Sequence, residues 1–221
     1  MPLLARRLIL LALLCAAGVA LLALLFYGSD RFNDLDTRAT AKLLAAEGSR
    51  AESVGDTASD LANGGPLLVF TLILVGLGFY WRRPTHLLAG LAVVVLANVT
   101  TQGMKIVLTH PRVQGELGAS YPIEIGYPSG HTTAALSVGF ALWLIVPPGR
   151  RRLAALVAAA YGLLVGAGVV VAGWHYLSDV AGAFMVVGFW AALAMVALVS
   201  AGYEPPRQAG SRLRGRAEGP K

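Results

Sequence analysis

The sequence predicts an all-α, polytopic membrane protein with six transmembrane helices. Of its 221 residues, 56% are hydrophobic and only 14% are charged, and the mean hydropathy is +0.65. This composition is far too apolar for an ordinary soluble domain. Several uncharged stretches also approach the roughly 20 residues that a helix needs to cross a hydrocarbon core about 30 Å thick. We therefore expect residues 1–202 to form one compact domain in the membrane.

Apolar runs define the six predicted spans. The first follows Arg6 and Arg7; a charged start before an apolar run also resembles a secretory signal, but the length of this run favours an uncleaved helix. Polar residues near the end of the third span are expected to face the bundle interior or to form an ordinary polar helix end. The predicted spans are Leu8–Tyr27, Pro66–Trp81, Leu87–Leu108, Thr132–Val146, Leu153–Val171 and Val180–Ala201.

The distribution of Lys and Arg predicts the orientation of the chain. Segments on one side of the six spans carry 12 basic and 2 acidic residues, whereas those on the other side carry 6 basic and 10 acidic residues. By the positive-inside rule, both termini are cytoplasmic in the cell membrane. This pattern explains the net charge of +6 better than nucleic-acid binding does, so no nucleic-acid partner is expected.

Two of the segments outside the predicted spans have a distinctive composition. Residues 28–65 belong to the outer side and place leucines at loose helical spacing among small and charged residues. They are expected to form one or two surface helices, either as a lid over a site or as a solvated spacer. The tail, residues 203–221, is rich in Gly, Pro and Arg and is expected to be disordered and cytoplasmic, beside anionic membrane lipids.

Three polar groups lie at the outer ends of the spans. They are Lys105 with Arg112, the tetrad Pro128–His131, and His175 with Asp179. Cations stabilise charge on the oxygens of a phosphoryl group, and the glycine of the tetrad lets backbone N–H groups approach an anion where the next helix begins. An aspartate one helical turn after a histidine can hold one ring nitrogen while the other presents its lone pair.

Each polar group also has a purely structural interpretation. Lys105 or Arg112 can be a cation snorkelling at a helix end, the tetrad can be an N-capping turn, and His175 with Asp179 can be a structural pair. Their shared side of the membrane favours a common site facing the periplasm or exterior. The four histidines show no HxxxH or HExxH spacing, so neither a metal nor another cofactor is expected.

Together the three groups resemble the motifs of the type 2 phosphatidic acid phosphatase superfamily. The resemblance implies a membrane lipid phosphatase in which His175 attacks phosphorus, forming a phosphohistidine, while Asp179 supports it. It implies that His131 protonates the leaving alkoxide and then activates water. It also implies a phosphate-binding set of Lys105, Arg112, Ser129 and Gly130.

The substrate implied by the resemblance is a lipid phosphate in the outer leaflet. Polyprenyl pyrophosphate, phosphatidate and phosphatidylglycerol phosphate are the candidates. Two alternatives remain open: a lipid phosphotransferase that uses an acceptor other than water, and a catalytically degenerate relative that binds or moves lipid.

The chain departs from the family pattern at two places. Val113 stands where a proline is usual, and Gly168-Val169 stands where the third motif usually opens with Ser-Arg. The second change removes a cation that contacts the phosphate in the family, and the loss of one such partner can lower a rate about 10²- to 10³-fold.

We expect His110 to supply part of this charge at the phosphate-binding site, because relatives often carry a basic residue at its position. Replacing His110 with alanine should therefore lower turnover and alter its pH dependence in a phosphate-release assay. Unchanged turnover and an unchanged pH profile would remove His110 from the site.

Overall fold

A computed structural model describes residues 3–110 and 125–203 of the chain. Within these ranges the chain forms eight α-helices, one 3-10 turn at Pro148–Arg150, and a pair of two-residue antiparallel strands. The helices and strands are α1 (Leu3–Gly28), α2 (Asp30–Ala41), α3 (Arg50–Asp60), α4 (Gly64–Tyr80), α5 (Pro84–Lys105), β1 (Thr109–His110), β2 (Ile125–Gly126), α6 (Gly130–Ile145), α7 (Arg151–Val171) and α8 (Leu177–Ser200).

The all-α class is confirmed, and an apolar helix lies at each of the six predicted spans. Four of them, α1, α5, α7 with the preceding 3-10 turn, and α8, are long and apolar enough to cross a membrane. Helix α4 reaches that length only together with α3, to which it is bent by 46°. The 16-residue α6 is shorter. Length and composition thus support four or five spans within the described residues, and the count of six stays a prediction.

Helix α6 lies at the centre of the bundle, where it packs against α4, α5, α7 and α8. Small residues bring its neighbours close: Gly90 of α5 faces Ala141, and Gly139 faces Ala158 of α7. Polar residues of α5 also reach α6, because Thr101 is 3.0 Å from the Thr133 hydroxyl. Asn98 likewise donates to Ser137 Oγ at 3.2 Å and faces the interior, whereas Gln102 is exposed, as in an ordinary polar helix end.

Two arginines hold the C-terminal end of α6. Arg83 donates to the carbonyl oxygens of Ile145 and Val146 at 3.1 and 2.6 Å. The buried Arg151 donates to Leu144 O at 3.5 Å and to the Tyr203 hydroxyl. Cationic donors are favourable there because the last carbonyls of a helix have no partner within it and carry partial negative charge.

Residues 28–65, for which an outer location is predicted, form α2 and α3, which pack on α8 and α7 respectively. A Cβ atom added to Gly55 of α3 would lie 2.9 Å from Gly168 O, and one added to Gly168 would lie 2.8 Å from Gly55 O. The two helices therefore touch through their backbones. The contact leaves no room for a side chain at Gly168, and it argues against a solvated spacer.

Replacing Gly55 with alanine should weaken the α3–α7 contact, since the new methyl group meets backbone atoms that cannot move independently. We expect a loss of about 1–3 kcal/mol in the free energy of unfolding, measured as a lower thermal midpoint in detergent. Gly76→Ala is the matched control, because a Cβ there meets no described atom within 4 Å. Equal midpoints for the two variants would contradict the tight contact.

Candidate active site

The turn between α7 and α8 places His175 inside the protein. Gly173 has a φ of +72°, a left-handed conformation that glycine adopts without a steric penalty. Trp174 N donates to Val169 O at 2.8 Å and Gly173 N donates to Val170 O at 3.0 Å, which is the hydrogen-bond pattern of a Schellman C-cap. His175 N also donates to Val169 O, at 3.1 Å. The sharp turn leaves His175 only 2% exposed.

His175 and Asp179 form a buried pair, as their spacing predicts. Nδ1 of His175 lies 2.9 Å from Oδ2 of Asp179, whose relative exposure is 0%. The same oxygen accepts from Tyr176 N at 3.1 Å, so the carboxylate also caps the start of α8. Because an ionised carboxylate only accepts hydrogen bonds, Nδ1 carries a proton, and in the neutral form of the ring the lone pair lies on Nε2.

Helix α2 supplies two further caps to α8. The fully buried Thr40 accepts from Leu177 N through Oγ1 at 3.2 Å, and Asp36 accepts from Ser178 N through Oδ1 at 3.3 Å. These bonds satisfy N–H groups that have no partner within the helix, and the charge of Asp36 suits the positive end of the helix dipole. The sequence did not indicate either residue, since both contacts join segments more than 130 positions apart.

Ser129 connects the tetrad to the His175–Asp179 pair. Its backbone N–H donates to Asp179 O at 3.1 Å. Its hydroxyl oxygen accepts from Thr132 N at 3.4 Å and from Thr132 Oγ1 at 3.0 Å, so Ser129 is the N-cap of α6. The N-capping interpretation of the tetrad is thus confirmed, and a contact between the fully buried Ser129 and phosphate stays a prediction.

Lys105 lies over the start of α6. A Cβ atom added to Gly130 would lie 3.2 Å from Lys105 Nζ and 3.3 Å from Gln102 Nε2. A second glycine, Gly126 of β2, lets the backbone pass beside the Lys105 side chain, because a Cβ there would lie 2.8 Å from Lys105 Cγ. The ammonium group and the N-terminus of α6 therefore border the same space, and both favour an anion.

His131 stands in the first turn of α6 and contacts two other parts of the chain. Its Nε2 lies 2.8 Å from Asn63 Oδ1, at the break between α3 and α4. Its ring meets that of Trp174 edge-on, with centroids 5.9 Å apart, and Trp174 donates to Asp56 Oδ1 at 2.8 Å. Since Trp174 directly precedes His175, this contact brings the second and third groups together.

Tyr127 directly precedes the tetrad and anchors it to α1 and α8. Its side chain is fully buried against Gly182 of α8, and its hydroxyl donates to Val19 O of α1 at 3.0 Å. Burial, together with the nearby charge of Asp179, raises the pKa of the Tyr127 phenol. The phenol therefore stays neutral at physiological pH and keeps its donor hydrogen.

The structure describes only some of the remaining predicted residues. Arg112 and Val113 lie outside the described residues, and His110 is described only through its backbone in β1. Val169 is fully buried and contributes its carbonyl oxygen but no charge. His86 lies at the far end beside Arg83 and Tyr203, as expected of a residue outside the site. Over residues 3–110 and 125–203, no three His, Cys, Asp or Glu residues form a metal-binding cluster.

Comparison with known proteins agrees with this geometry. The profile of the PAP2 superfamily, the type 2 phosphatidic acid phosphatases, matches residues 86–202. The chain belongs to this superfamily. The matched range includes all three polar groups, whereas Asp36, Thr40 and Asn63 precede it. No curated protein matches the chain significantly in sequence.

Two solved PAP2-type structures share the fold. One is the transmembrane PAP2-type phosphatidylglycerolphosphate phosphatase from Bacillus subtilis, with a TM-score of 0.68 and 17% identity over 89% of this chain and 98% of that one. The other is LpxE from Aquifex aeolicus, with a TM-score of 0.54 and 18% identity over 75% of this chain and 94% of that one. The PAP2 chain described here therefore has the fold of a membrane phosphatase.

Replacing Thr40 with valine should destabilise the start of α8, because the isosteric side chain cannot accept from Leu177 N. We expect a loss of about 1 kcal/mol in the free energy of unfolding, measured by chemical or thermal unfolding in detergent. Thr57→Val is the matched control, since the exposed Thr57 hydroxyl only donates back to Ser53 O within α3. A Thr40 variant as stable as the control would argue against this cap.

Proposed function

We propose that this PAP2 protein is a lipid phosphatase that hydrolyses a phosphomonoester or pyrophosphate through a phosphohistidine at His175. The observation that carries the proposal is the buried hydrogen bond between His175 Nδ1 and Asp179 Oδ2, at 2.9 Å. This bond to Nδ1 fixes the orientation of the imidazole ring, so that Nε2 can act as the nucleophile from a defined direction. Lys105 and the start of α6 border the same end of the bundle.

In the first step, the lone pair of His175 Nε2 forms a bond to phosphorus while the bond from phosphorus to the lipid oxygen breaks. His131 gives its proton to the departing oxygen, and Asp179 balances the positive charge on His175. Lys105, Arg112 and the N–H groups of α6 stabilise the phosphoryl oxygens.

In the second step, water attacks the phosphohistidine. His131, now neutral, takes a proton from that water as the new oxygen–phosphorus bond forms. The nitrogen–phosphorus bond breaks, and its electrons return to His175 Nε2. Inorganic phosphate leaves, and both histidines regain their starting protonation states. The mechanism requires one neutral and one protonated histidine, so the activity should fall at both low and high pH.

The proposed substrate is a lipid phosphate presented from the outer leaflet. Ser129 and His131 lie at the N-terminal end of α6, opposite the arginines at its C-terminal end, and the positive-inside rule assigns the arginine-rich end to the cytoplasm. Phosphatidylglycerol phosphate is one candidate, since the B. subtilis protein of the same fold is a phosphatidylglycerolphosphate phosphatase. Phosphatidate and polyprenyl pyrophosphate carry the same reacting group.

A second candidate function follows from Val169. This residue is apolar and fully buried where the family usually has an arginine, so position 169 supplies no cation for the transition state. This second candidate is a protein that binds lipid phosphate without hydrolysing it. In that case the purified protein would bind the lipid but would turn over no lipid phosphate.

Phosphate release from these lipids by purified protein in detergent, without an added acceptor, tests the proposal. His175→Ala should abolish release, and Asp179→Asn should lower it about 10²- to 10⁴-fold, because the imidazole loses its orientation and charge support. Vanadate should inhibit the wild type. Release without an acceptor also distinguishes a hydrolase from a phosphotransferase.

His86→Ala is the matched control, since it makes the same substitution at the opposite end of the bundle and should retain turnover. Substantial activity in the His175 variant would exclude this histidine as the nucleophile. Loss of activity with a chelator, restored by zinc or magnesium, would contradict the metal-free mechanism.

A further inference from the structure

Asn63 occupies a helix-capping position but does not use its side chain as a cap. Asparagine is favoured at N-caps because its side-chain oxygen accepts an N–H from the first turn. Asn63 precedes α4 and, within the described part of the chain, makes no such bond. Its Oδ1 lies 2.8 Å from His131 Nε2 instead, and its Nδ2 donates to Asp60 Oδ1 at 2.8 Å. The oxygen that would normally cap α4 therefore forms a contact across 68 residues.

The contact with Asp60 fixes the direction of the hydrogen bond to His131. A carboxylate only accepts, so the amide nitrogen of Asn63 must face Asp60 and the amide oxygen must face the imidazole. An amide oxygen also only accepts, so His131 Nε2 carries a hydrogen and donates it. Asp60, Asn63 and His131 thus form a chain in which each donor and acceptor has one assignment.

The hydrogen bond favours the protonated form of His131. A bond from an imidazolium is charge-assisted and roughly twice as strong as a bond from the neutral ring. The negative charge of Asp60 adds to this effect. It attracts the N–H group of the Asn63 amide and so increases the partial negative charge on the amide oxygen that faces His131.

The protein holds Asn63 in place through α3. This helix touches α7 through Gly55 and Gly168, and its Asp56 accepts from Trp174, whose ring meets His131 edge-on. The imidazole is therefore bounded by two groups positioned by α3, the amide of Asn63 and the indole of Trp174. Neither belongs to the three polar groups found in the sequence.

We propose that Asn63 is a positioning residue for His131, oriented by Asp60. It accepts from Nε2–H and stabilises the imidazolium that must be present before the bond from phosphorus to the lipid oxygen breaks. The inference rests on the proposed function: His131 transfers its Nδ1 proton to the leaving oxygen, while its Nε2–H stays hydrogen-bonded to Asn63. Its effect should depend on the leaving group, because a weakly basic oxygen departs without a proton.

The role of Asn63 can be tested by measuring kcat for two substrates that differ in the basicity of the leaving group. General acid catalysis contributes about 10²- to 10⁴-fold in typical enzymes, so removing a residue that only supports the acid should cost roughly 10-fold or more in kcat for an alkyl phosphomonoester such as phosphatidate. Asn63→Ala should change the rate by less than about threefold for an aryl phosphate, whose leaving group needs no acid. Asn33→Ala is the matched control, because the Asn33 amide oxygen accepts from Thr37 within α2.

The pH profile gives a second readout. Loss of the acceptor destabilises the imidazolium, so Asn63→Ala should move the high-pH limb of kcat to lower pH. Asn63→Asp places a carboxylate beside the ring and should move that limb to higher pH. Equal losses for both leaving groups, with the limb unmoved in both variants, would show only a structural role and would overturn the proposal.

Nitrogen-15 NMR of labelled histidine separates this inference from the proposed function, since it needs no turnover. Single-histidine substitutions assign the four side chains. We expect a protonated Nε2 in neutral His131 and a titration displaced to lower pH in Asn63→Ala but not in Asn33→Ala. Identical His131 titrations in these two variants would overturn the inference even if the wild type releases phosphate. A displaced titration in a protein that hydrolyses no lipid phosphate would support the contact while rejecting the proposed function.

Discussion

The structure of the site depends on one carboxylate that is shared between a side chain and a helix. Asp179 Oδ2 accepts from both the His175 ring and the Tyr176 backbone, and the Asp179 carbonyl oxygen accepts from Ser129 N. The residue therefore fixes the first turn of α8, the direction of the imidazole and the position of the tetrad. Because Asp179 is fully buried, breaking these hydrogen bonds would leave an unpaired charge without solvent, which is strongly unfavourable.

Local patterns allowed much of this arrangement to be predicted from the sequence. The apolar runs located the membrane helices, and the four-residue spacing predicted the His175–Asp179 contact, although His175 lies in the turn before α8 and not on a face of that helix. Ser129 before an apolar helix is likewise a recognisable N-cap. Each of these features depends on residues within a few positions of one another.

Contacts between distant segments could not be predicted in the same way. Asn63 lies before a Gly-Gly-Pro run and resembles an ordinary cap, and only the docking of α3 on α7 brings it to His131. Asp36 and Thr40 similarly reach α8 through the packing of α2. The number of full-length spans also depended on the tertiary structure, since α6 is enclosed by other helices and need not match the bilayer thickness by itself.

The central helix α6 is shorter than the hydrocarbon core of a bilayer is thick. Sixteen residues of α-helix extend about 24 Å, whereas a bilayer hydrocarbon core is about 30 Å thick. Arg83 and Arg151 anchor the C-terminal carbonyls of α6, and arginines prefer the level of the lipid headgroups. With one end fixed there, the opposite end falls several ångströms short of the other interface. The first turn of α6, which carries His131, is therefore expected to lie below the level of the headgroups on that side.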